Sequence, residues 1–558
     1  MFIKSFKIKN FRQIENMTIK FNKNLNIIIG PNNSGKTTII DALRICLTYK
    51  DYDSLKITKN DFHIKYENLL EDIEFNIIFE IEKEIEKAVF SDLYNINPNS
   101  SEDSLSITYI FSFNQQLNKI KSKVFGGYTK DNKVSDEIFD YITNFHLSAL
   151  RDANRFLTPG RYNILSSFFS DLKDDNEKSK LINEINDTVK NSDISDFIKE
   201  STDNYIQKIY KNITFNSDYT QIKMTPIDYE FDEFTKNWKI LLPSITDERK
   251  ILDIKQNGLG YNNLIYISVL LSRLNVINEK TDEEIYISLS IEEPEAHLQP
   301  QLQNIFFSFL NSLNEYNQLQ IFITSHSPTL TAKADLNSLI LIQNSNNNVE
   351  AINLTECFTE EDDLNYLRKF LDVTKSQLLF SKKIIFVEGI SEAILIPVFA
   401  KKYGINLDKE GVEIVNLQGI NIKHFFPLFN DNNKLKFKGV FLTDDDRKTL
   451  NGEPSDVNTS LKIYNNDNLK IFSAKKTFEY ELICSNGFES EIFDAFKNKH
   501  PKIFKDVNNE ENLFEIFNQK TIQKADIALN LSQKLENNDI TYNIPKYIKL
   551  AFDFLKEN

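Results

Sequence analysis

Apolar and polar residues alternate through FIKSFKIKNF (residues 2–11) and through MTIKFNKNLNIIIG (residues 17–30), the period-two pattern of strands that bury one face. The period then changes. TTIIDALRICLTY places Ile39, Ile40, Leu43 and Leu47 on one face of a helix. IEFNIIFEIE (73–82) and LSITYIFSF (105–113) predict further strands of an antiparallel layer. From about 171 to 211 the pattern becomes polar and helical, with Lys and Glu mixed on the exposed face, and reads as an inserted helical arm suited to dimerisation. QNGLGYNNLIYISVLLSRL (256–274) is a glycine-containing turn running into an amphipathic helix. EEIYISLSIEEPEAHLQP (283–300) and LQIFITSHSP (319–328) are apolar strands ending in an acidic cluster and in Ser-His-Ser-Pro. A helical stretch, DDLNYLRKFLDVT, precedes a new strand, KKIIFVEG (382–389).

These changes of period divide the chain into a first part of a nucleotide domain (1–170), a helical insertion (171–250), the second part of that domain (251–350), a linker (351–380) and a C-terminal α/β domain (381–558). At 558 residues two or three cores are needed. No internal repeat is visible, and QNSNNN (343–348) carries no chemistry. Lys+Arg 66 against Asp+Glu 81 gives a net charge of -15, which argues against indiscriminate coating of nucleic acid but leaves room for a local basic channel. Cys46, Cys357 and Cys484 lack metal or disulfide spacing. The start, MFIKSFKIKNFRQ, has no apolar signal core, and the run AILIPVFA (393–400) is too short to span a bilayer. A cytoplasmic protein is predicted.

Two motifs carry chemistry. Gly30-Pro31-Asn32-Asn33-Ser34-Gly35-Lys36-Thr37 is the full G-x-x-x-x-G-K-T pattern, set between a strand and a helix, with Thr38 continuing the turn. Its backbone N–H groups would cradle phosphates, Lys36 would reach the β/γ-phosphates and the Thr37 hydroxyl would ligate a Mg²⁺ ion bound with ATP. Glu292 would then support the Mg²⁺ shell and Glu293 polarise the attacking water. His326, after the next strand, would sense the γ-phosphate, although a lone His is more often structural. Gly258, Gly260 and Asn263 open a helix that would close on a phosphate of a second subunit.

The second motif joins Glu388 and Glu392, in FVEGISEAIL, to Asp444 and Asp446, in FLTDDDR. Four hard oxygen ligands at strand ends suit Mg²⁺ or Mn²⁺, and two such ions would stabilise the attacking and leaving oxygens of a phosphodiester. Asp445 competes with either neighbour for a place in the set. Lys475-Lys476 and KNKHPKIFK (497–505) would line a nucleic-acid channel or be solvated faces.

The order of loop, Gly-rich helix start, acidic strand end and strand-end His resembles the ATPase heads of the ABC/SMC class, which bind ATP between two subunits. The acidic set resembles the TOPRIM domain. Their fusion, with LSALRDANRFLTPGR, ITSHSPTLTAKAD, FLDVTKSQLLFSKKIIFVEGISEAILIPV, QKADIALNLSQKL and NIPKYIKLAFDFL, resembles the OLD (overcoming lysogenization defect) family of ATPase-coupled DNA endonucleases over essentially the whole chain. The resemblance implies an ABC-type head with a helical insertion followed by a TOPRIM α/β domain, and a homodimer or higher homo-oligomer. It makes Glu388, Glu392, Asp444 and Asp446 metal ligands, Glu479 in KTFEYEL a further one, and Lys524 a catalytic lysine; by sequence alone Lys524 is one lysine on a helix. Relatives of the Gabija and retron-associated kinds imply antiviral defence, with a helicase or retron component as partner. The rivals are an SMC-like DNA clamp whose TOPRIM domain holds metal without cutting, and a repair factor acting on damaged ends.

Overall fold

The computed structural model describes the chain apart from residues 51–54, 65–69, 96–103, 128–131, 148–152, 214–221, 225, 245–248, 281–285, 297, 313–318, 346–347, 359, 372–375, 419–421, 430–437, 520–521, 538–540 and 558. Parts of the motifs at 147–161 and 370–398, and the His of EEPEAH, therefore lie outside the described residues. The chain separates into two compact units: Met1–His146, Tyr286–Glu295 and Gln299–Asn558 form one, and Leu147–Ile285 with Ala296–Leu298 the other.

In the first unit, the strands β1 (Phe2–Phe11), β2 (Ile14–Lys20), β4 (Ile73–Glu80), β5 (Ser104–Asn114) and β6 (Lys119–Gly126) form an antiparallel sheet in the order β2-β1-β4-β5-β6. Alternation decides its faces. Phe6, Ile8, Phe75, Ile77, Ile107 and Tyr109 point into one core, while their strand neighbours point away.

β3 (Leu25–Ile29), buried on both sides, belongs to a second sheet with β7 (Ile142–Leu147), β8 (Tyr286–Glu292), β9 (Leu319–Ser325), β10 (Leu339–Ser345) and β11 (Asn348–Asn353), ordered β11-β10-β3-β9-β8-β7. β10, β3, β9 and β8 run parallel, as the near-continuous apolar character of β3, β8 and β9 requires of strands covered on both faces. The helix α1 (Lys36–Leu47) buries Ile39, Ile40, Leu43 and Leu47 in the core shared with the antiparallel sheet. Register sets the site: Ile29 pairs with Ser325 and Glu292 with Thr324, so Gly30, Glu293 and His326 all leave carboxyl ends of adjacent strands.

A third sheet is parallel throughout: β12 (Lys383–Val387), β13 (Val412–Asn416), β14 (Lys438–Asp444) and β15 (Leu469–Ala474) in the order β13-β12-β14-β15. The helices α2 (Pro300–Ser312), α3 (Ile390–Tyr403), α4 (Phe478–Asn486), α5 (Lys524–Glu536) and α6 (Lys546–Lys556) are among those of the same unit. Residues of α3, α4, α5 and α6 share one core with β12 and β14, including Phe399, Ile483, Leu531 and Phe552.

The second unit is mainly helical over Ile164–Leu172, Asp175–Lys190, Asp193–Ser201 and Leu259–Lys280. Arg273 of the last helix pairs with Asp171 at 2.5 Å, and Asn262 donates to Asn154 at 2.7 Å, so the Leu259–Lys280 helix packs with the segment that opens this unit.

Candidate functional site

At the end of β3 the chain must turn sharply under its neighbour. Gly30 has φ +151°, and a Cβ there would lie 2.4 Å from the Ile342 carbonyl oxygen; Gly35, at φ +103°, caps α1. Both positions need glycine. Lys36 is buried and its ammonium donates to the Gly30 and Pro31 carbonyls at 2.9 and 2.7 Å, and to Ser34 Oγ at 3.4 Å. Burial pushes its pKa down to about 8, against the pull of Glu293 and Glu295. Asn32, Asn33 and Thr37 are exposed around the loop, while Ser34 and Thr38 are buried beneath it.

Glu293 takes a left-handed backbone (φ +44°), which swings its side chain to His326 Nε2 at 3.2 Å, while its N–H donates to the Thr324 carbonyl. The His326 pKa is lowered, first by burial and then by the Lys36 charge, so the imidazole is held toward its neutral form beside the loop. Lys36, Glu293 and His326 therefore stand within one electrostatic neighbourhood. Gly260 and Asn263 belong to the second unit; there Asn263 is buried with its Nδ2 unpartnered among the described residues.

The acidic site forms at the carboxyl ends of β12 and β14. Val387 pairs with Leu442, so Glu388 follows β12 where Thr443 and Asp444 finish β14, and Glu388 accepts from the Thr443 hydroxyl. Gly389 caps α3, whose first turn carries Glu392. Asp444 Oδ1 accepts from the Phe478 N–H at 2.7 Å, at the start of α4, and Glu479 follows on that first turn. Lys524 begins α5 and its Nζ reaches Glu479 Oε2 at 2.7 Å.

Crowding is the electrostatic signature. Burial and then Glu479 push the Glu392 carboxyl up to about 7, and burial with Glu388, Glu479 and Glu392 drives Asp444 well above the carboxylate range. Glu388 is also raised, chiefly by burial, and Lys524 lowers all three. Asp446 is exposed, on a left-handed backbone (φ +48°), and its charge acts on Glu388. Asp445 goes elsewhere: it is buried, accepts from Arg447 Nε at 2.9 Å and from the Lys476 N–H at 2.8 Å, and is held below the usual carboxylate range by those bonds despite burial.

Against known proteins, residues 1–331 match the family described as AAA ATPase domain, and residues 379–446 match the one described as overcoming lysogenization defect protein-like, TOPRIM domain. The chain belongs to this ATPase family and carries an OLD-like TOPRIM domain. It is 25% identical to the endonuclease GajA of Bacillus cereus strain HuB5-5, over 100% of this chain and 99% of that protein. It is 24% identical to the Old nuclease of Escherichia phage P2, over 74% of this chain and 72% of that protein. An OLD nuclease of Thermus scotoductus is 22% identical over 75% and 77%. Among the described residues, no helix is long and apolar enough to cross a membrane.

The side chains gathered around the ends of β12 and β14 are carboxylates, the chemistry hard divalent ions take. Among the described residues no three His, Cys, Asp or Glu side chains stand close enough together to hold a metal ion as they are. What fits an ion is the charge: buried carboxylates that raise one another's pKa are short of positive charge, and Lys524 supplies one unit of it. The basic clusters read from the sequence are partly spent. Lys475 pairs with Glu510, Lys476 is buried with its ammonium on the Arg447 carbonyl, and Lys499 pairs with Asp526.

Two ATPase residues escaped the sequence reading. Glu295 is half-buried and accepts from Ser325 Oγ at 2.8 Å and the His326 N–H at 2.7 Å, fixing the strand end that carries His326. His146, at the end of β7, stands 3.3 Å from Glu292, both only 11% exposed. Its pKa is lowered by burial. The EEPE spacing gave a signal for the first; for the second, 146 residues into the chain, only the strand order supplies one.

Proposed function

We propose that this chain is a metal-dependent DNA endonuclease or nickase whose ATPase domain gates cleavage. The observation that carries the reading is the gathering of Glu388 and Asp444 at the ends of adjacent parallel strands with Glu392 and Glu479 on the first turns of α3 and α4, and Lys524 paired with Glu479. The names of two relatives matched over three quarters or more of their length, an endonuclease and an OLD nuclease, point the same way.

In this reading Glu388, Glu392, Asp444 and Asp446, with Glu479 as a further ligand, hold one or two Mg²⁺ or Mn²⁺ ions, which supply Lewis acidity and an activated water when bound. Lys524, raised in pKa by Glu479, Asp444 and Glu392, keeps its proton and offers a compact cation to charge growing on the scissile phosphate. In the ATPase domain the loop N–H groups and Lys36 bind the nucleotide phosphates, Thr37 and Glu292 hold its Mg²⁺, and Glu293 orients the attacking water with His326 beside it. Gly260 and Asn263 complete that site from a second copy. Antiviral defence alongside a partner protein follows from the resemblance to those relatives, and work in the cytoplasm from three scattered cysteines without disulfide spacing.

The test is supercoiled plasmid incubated with Mg²⁺ or Mn²⁺, with and without ATP, for the wild type, Asp444→Ala and Lys36→Ala. Nicked or linear product that disappears in Asp444→Ala is the expected result, and the Lys36→Ala lanes give the sign of the ATP coupling. Plasmid intact in every wild-type lane overturns the nuclease reading in favour of a clamp.

A further inference from the structure

The antiparallel sheet has a second face that no step of the proposed chemistry uses. Register aligns its outward residues in rows across five strands. Asn16, Lys9, Glu74, Ile110 and Lys123 form one row, and Thr18, Lys7, Asn76, Thr108 and Phe125 the next. Beyond the first row, Ser112 faces Lys121 and Asn114 faces Lys119; beyond the second, Lys20, Ser5, Ile78 and Ser106 continue the surface. Lys7, Lys9, Lys20, Lys119, Lys121 and Lys123 are all exposed.

Two features set this face apart. Its charge runs against the chain: Glu74 is the acid within the rows, in a protein of net charge -15. Its lysines are also available. Lys20 pairs with Glu356 at 2.8 Å, but Lys7, Lys9, Lys119, Lys121 and Lys123 enter no ion pair among the described residues. The lysines beside the TOPRIM domain contrast with them, because Lys475, Lys476 and Lys499 are already partnered. At one end the face borders a hollow of about 1270 Å³ whose rim mixes Lys4, Lys7 and Lys20 with Glu80, Glu84 and Glu356, so the unpaired basic stretch is that of the rows and not of the hollow.

We infer that this face binds the phosphate backbone of duplex DNA. Ammonium groups interleaved with hydroxyls and amides are donors without base-reading geometry, which suits sequence-independent contact with phosphates. A single strand would call for a stacking platform, and the rows offer one ring, Phe125, at their margin. Strand lysines can also serve only to keep a sheet edge from pairing with another chain. The two roles differ in what salt does. The inference rests on the reading of DNA as substrate and assigns to the ATPase head a share of the grip on it.

The experiment is fluorescence anisotropy of a labelled duplex with the full-length protein in EDTA, which keeps the phosphodiester chemistry off, across a salt series. The quadruple variant Lys7→Gln, Lys9→Gln, Lys121→Gln, Lys123→Gln is compared with wild type and with a control that loses exposed charge elsewhere, Lys401→Gln, Lys462→Gln, Lys546→Gln. Basal ATP hydrolysis and the thermal melt confirm that each variant is folded. The expected result is a loss of affinity of about 10-fold or more and a log K against log salt slope shallower by about 2–4, beyond any change in the control. Wild-type affinity and slope retained in the quadruple variant overturn the inference. An equal loss in the control, or a preference for single strands that survives the quadruple change, overturns it as well. Wild-type protein that neither binds nor cuts duplex DNA sinks the nuclease reading itself, and the inference with it.

Discussion

Lys524 Nζ lies 2.7 Å from Glu479 Oε2, joining the first turn of α5 to the first turn of α4 at the edge of the acidic cluster. Glu479 is almost fully buried, so this ammonium offsets charge that water cannot reach. Lys524→Met is expected to lower plasmid cleavage about 100-fold or more, as loss of a charge-stabilising group does. It should also lower the melting temperature in EDTA, with Mn²⁺ restoring part of the loss. Cleavage at the wild-type rate would remove Lys524 from the mechanism.

Glu392 gives the opposite sign for stability. Its folded pKa of about 7 lies above the ordinary value of 4.5, so the folded state holds the proton more tightly than the unfolded chain. Stability is thus lost as pH rises from about 4.5 through 7. Glu392→Gln should raise the melting temperature at pH 8 in EDTA by about 1–3 °C while cleavage collapses, because removing buried repulsion is worth on the order of 1–3 kcal/mol. Equal melting shifts at pH 4 and pH 8 would contradict the cause assigned here.

Asp444 and Asp445 are adjacent in sequence and opposite in role. Asp445→Asn breaks the ion pair with Arg447 and is expected to cost about 1–3 kcal/mol by denaturant unfolding. Because its folded pKa is depressed, that stability is present above the ordinary value near 3.8 and is lost as pH falls through the folded one. Asp444→Asn removes a carboxylate that burial and its neighbours already hold toward the neutral form, so it should not lower stability at pH 7 and should abolish cleavage. The reverse pattern would exchange the two assignments.

For Lys36, a pKa of about 8 means that nucleotide phosphates must keep the ammonium charged at higher pH. ATP affinity is expected to fall as pH rises above about 8, with proton uptake on binding, seen by calorimetry in buffers of different ionisation enthalpy. The unliganded protein follows the other sign. Between about 8 and 10.5 the unfolded chain binds more protons at this lysine, so stability from this group rises with pH. ATP binding indifferent to pH from 7 to 9.5 would refute the coupling.

His146 predicts a kinetic split. Placed 3.3 Å from Glu292, it orients a carboxylate assigned to the nucleotide metal. His146→Ala should reduce kcat for ATP hydrolysis by about 10–100-fold with KM little changed, and His146→Gln should recover part of it. A change confined to KM would place His146 in nucleotide binding instead.

What the sequence by itself determined is local. The turn at Gly30 and Gly35, the helix that follows and the burial of β3, β8 and β9 depend on backbone sterics and on the period of neighbouring residues, so GPNNSGKT and the apolar runs carry them in full. The carboxylates at the ends of β12 and β14 were legible for the same reason, since a strand that stops at a polar residue announces its end. Tertiary structure decided the rest. Which aspartate of DDDR faces the cluster depends on a left-handed turn at Asp446 and on Arg447 taking Asp445. The meeting of Glu479 with Lys524, of His146 with Glu292, and of Lys9 with Lys123 across one sheet depends on strand order and register. Those are set by the packing of whole cores and not by any residue's neighbours in the chain, because a through-space pair gains its energy only after distant segments have been brought together.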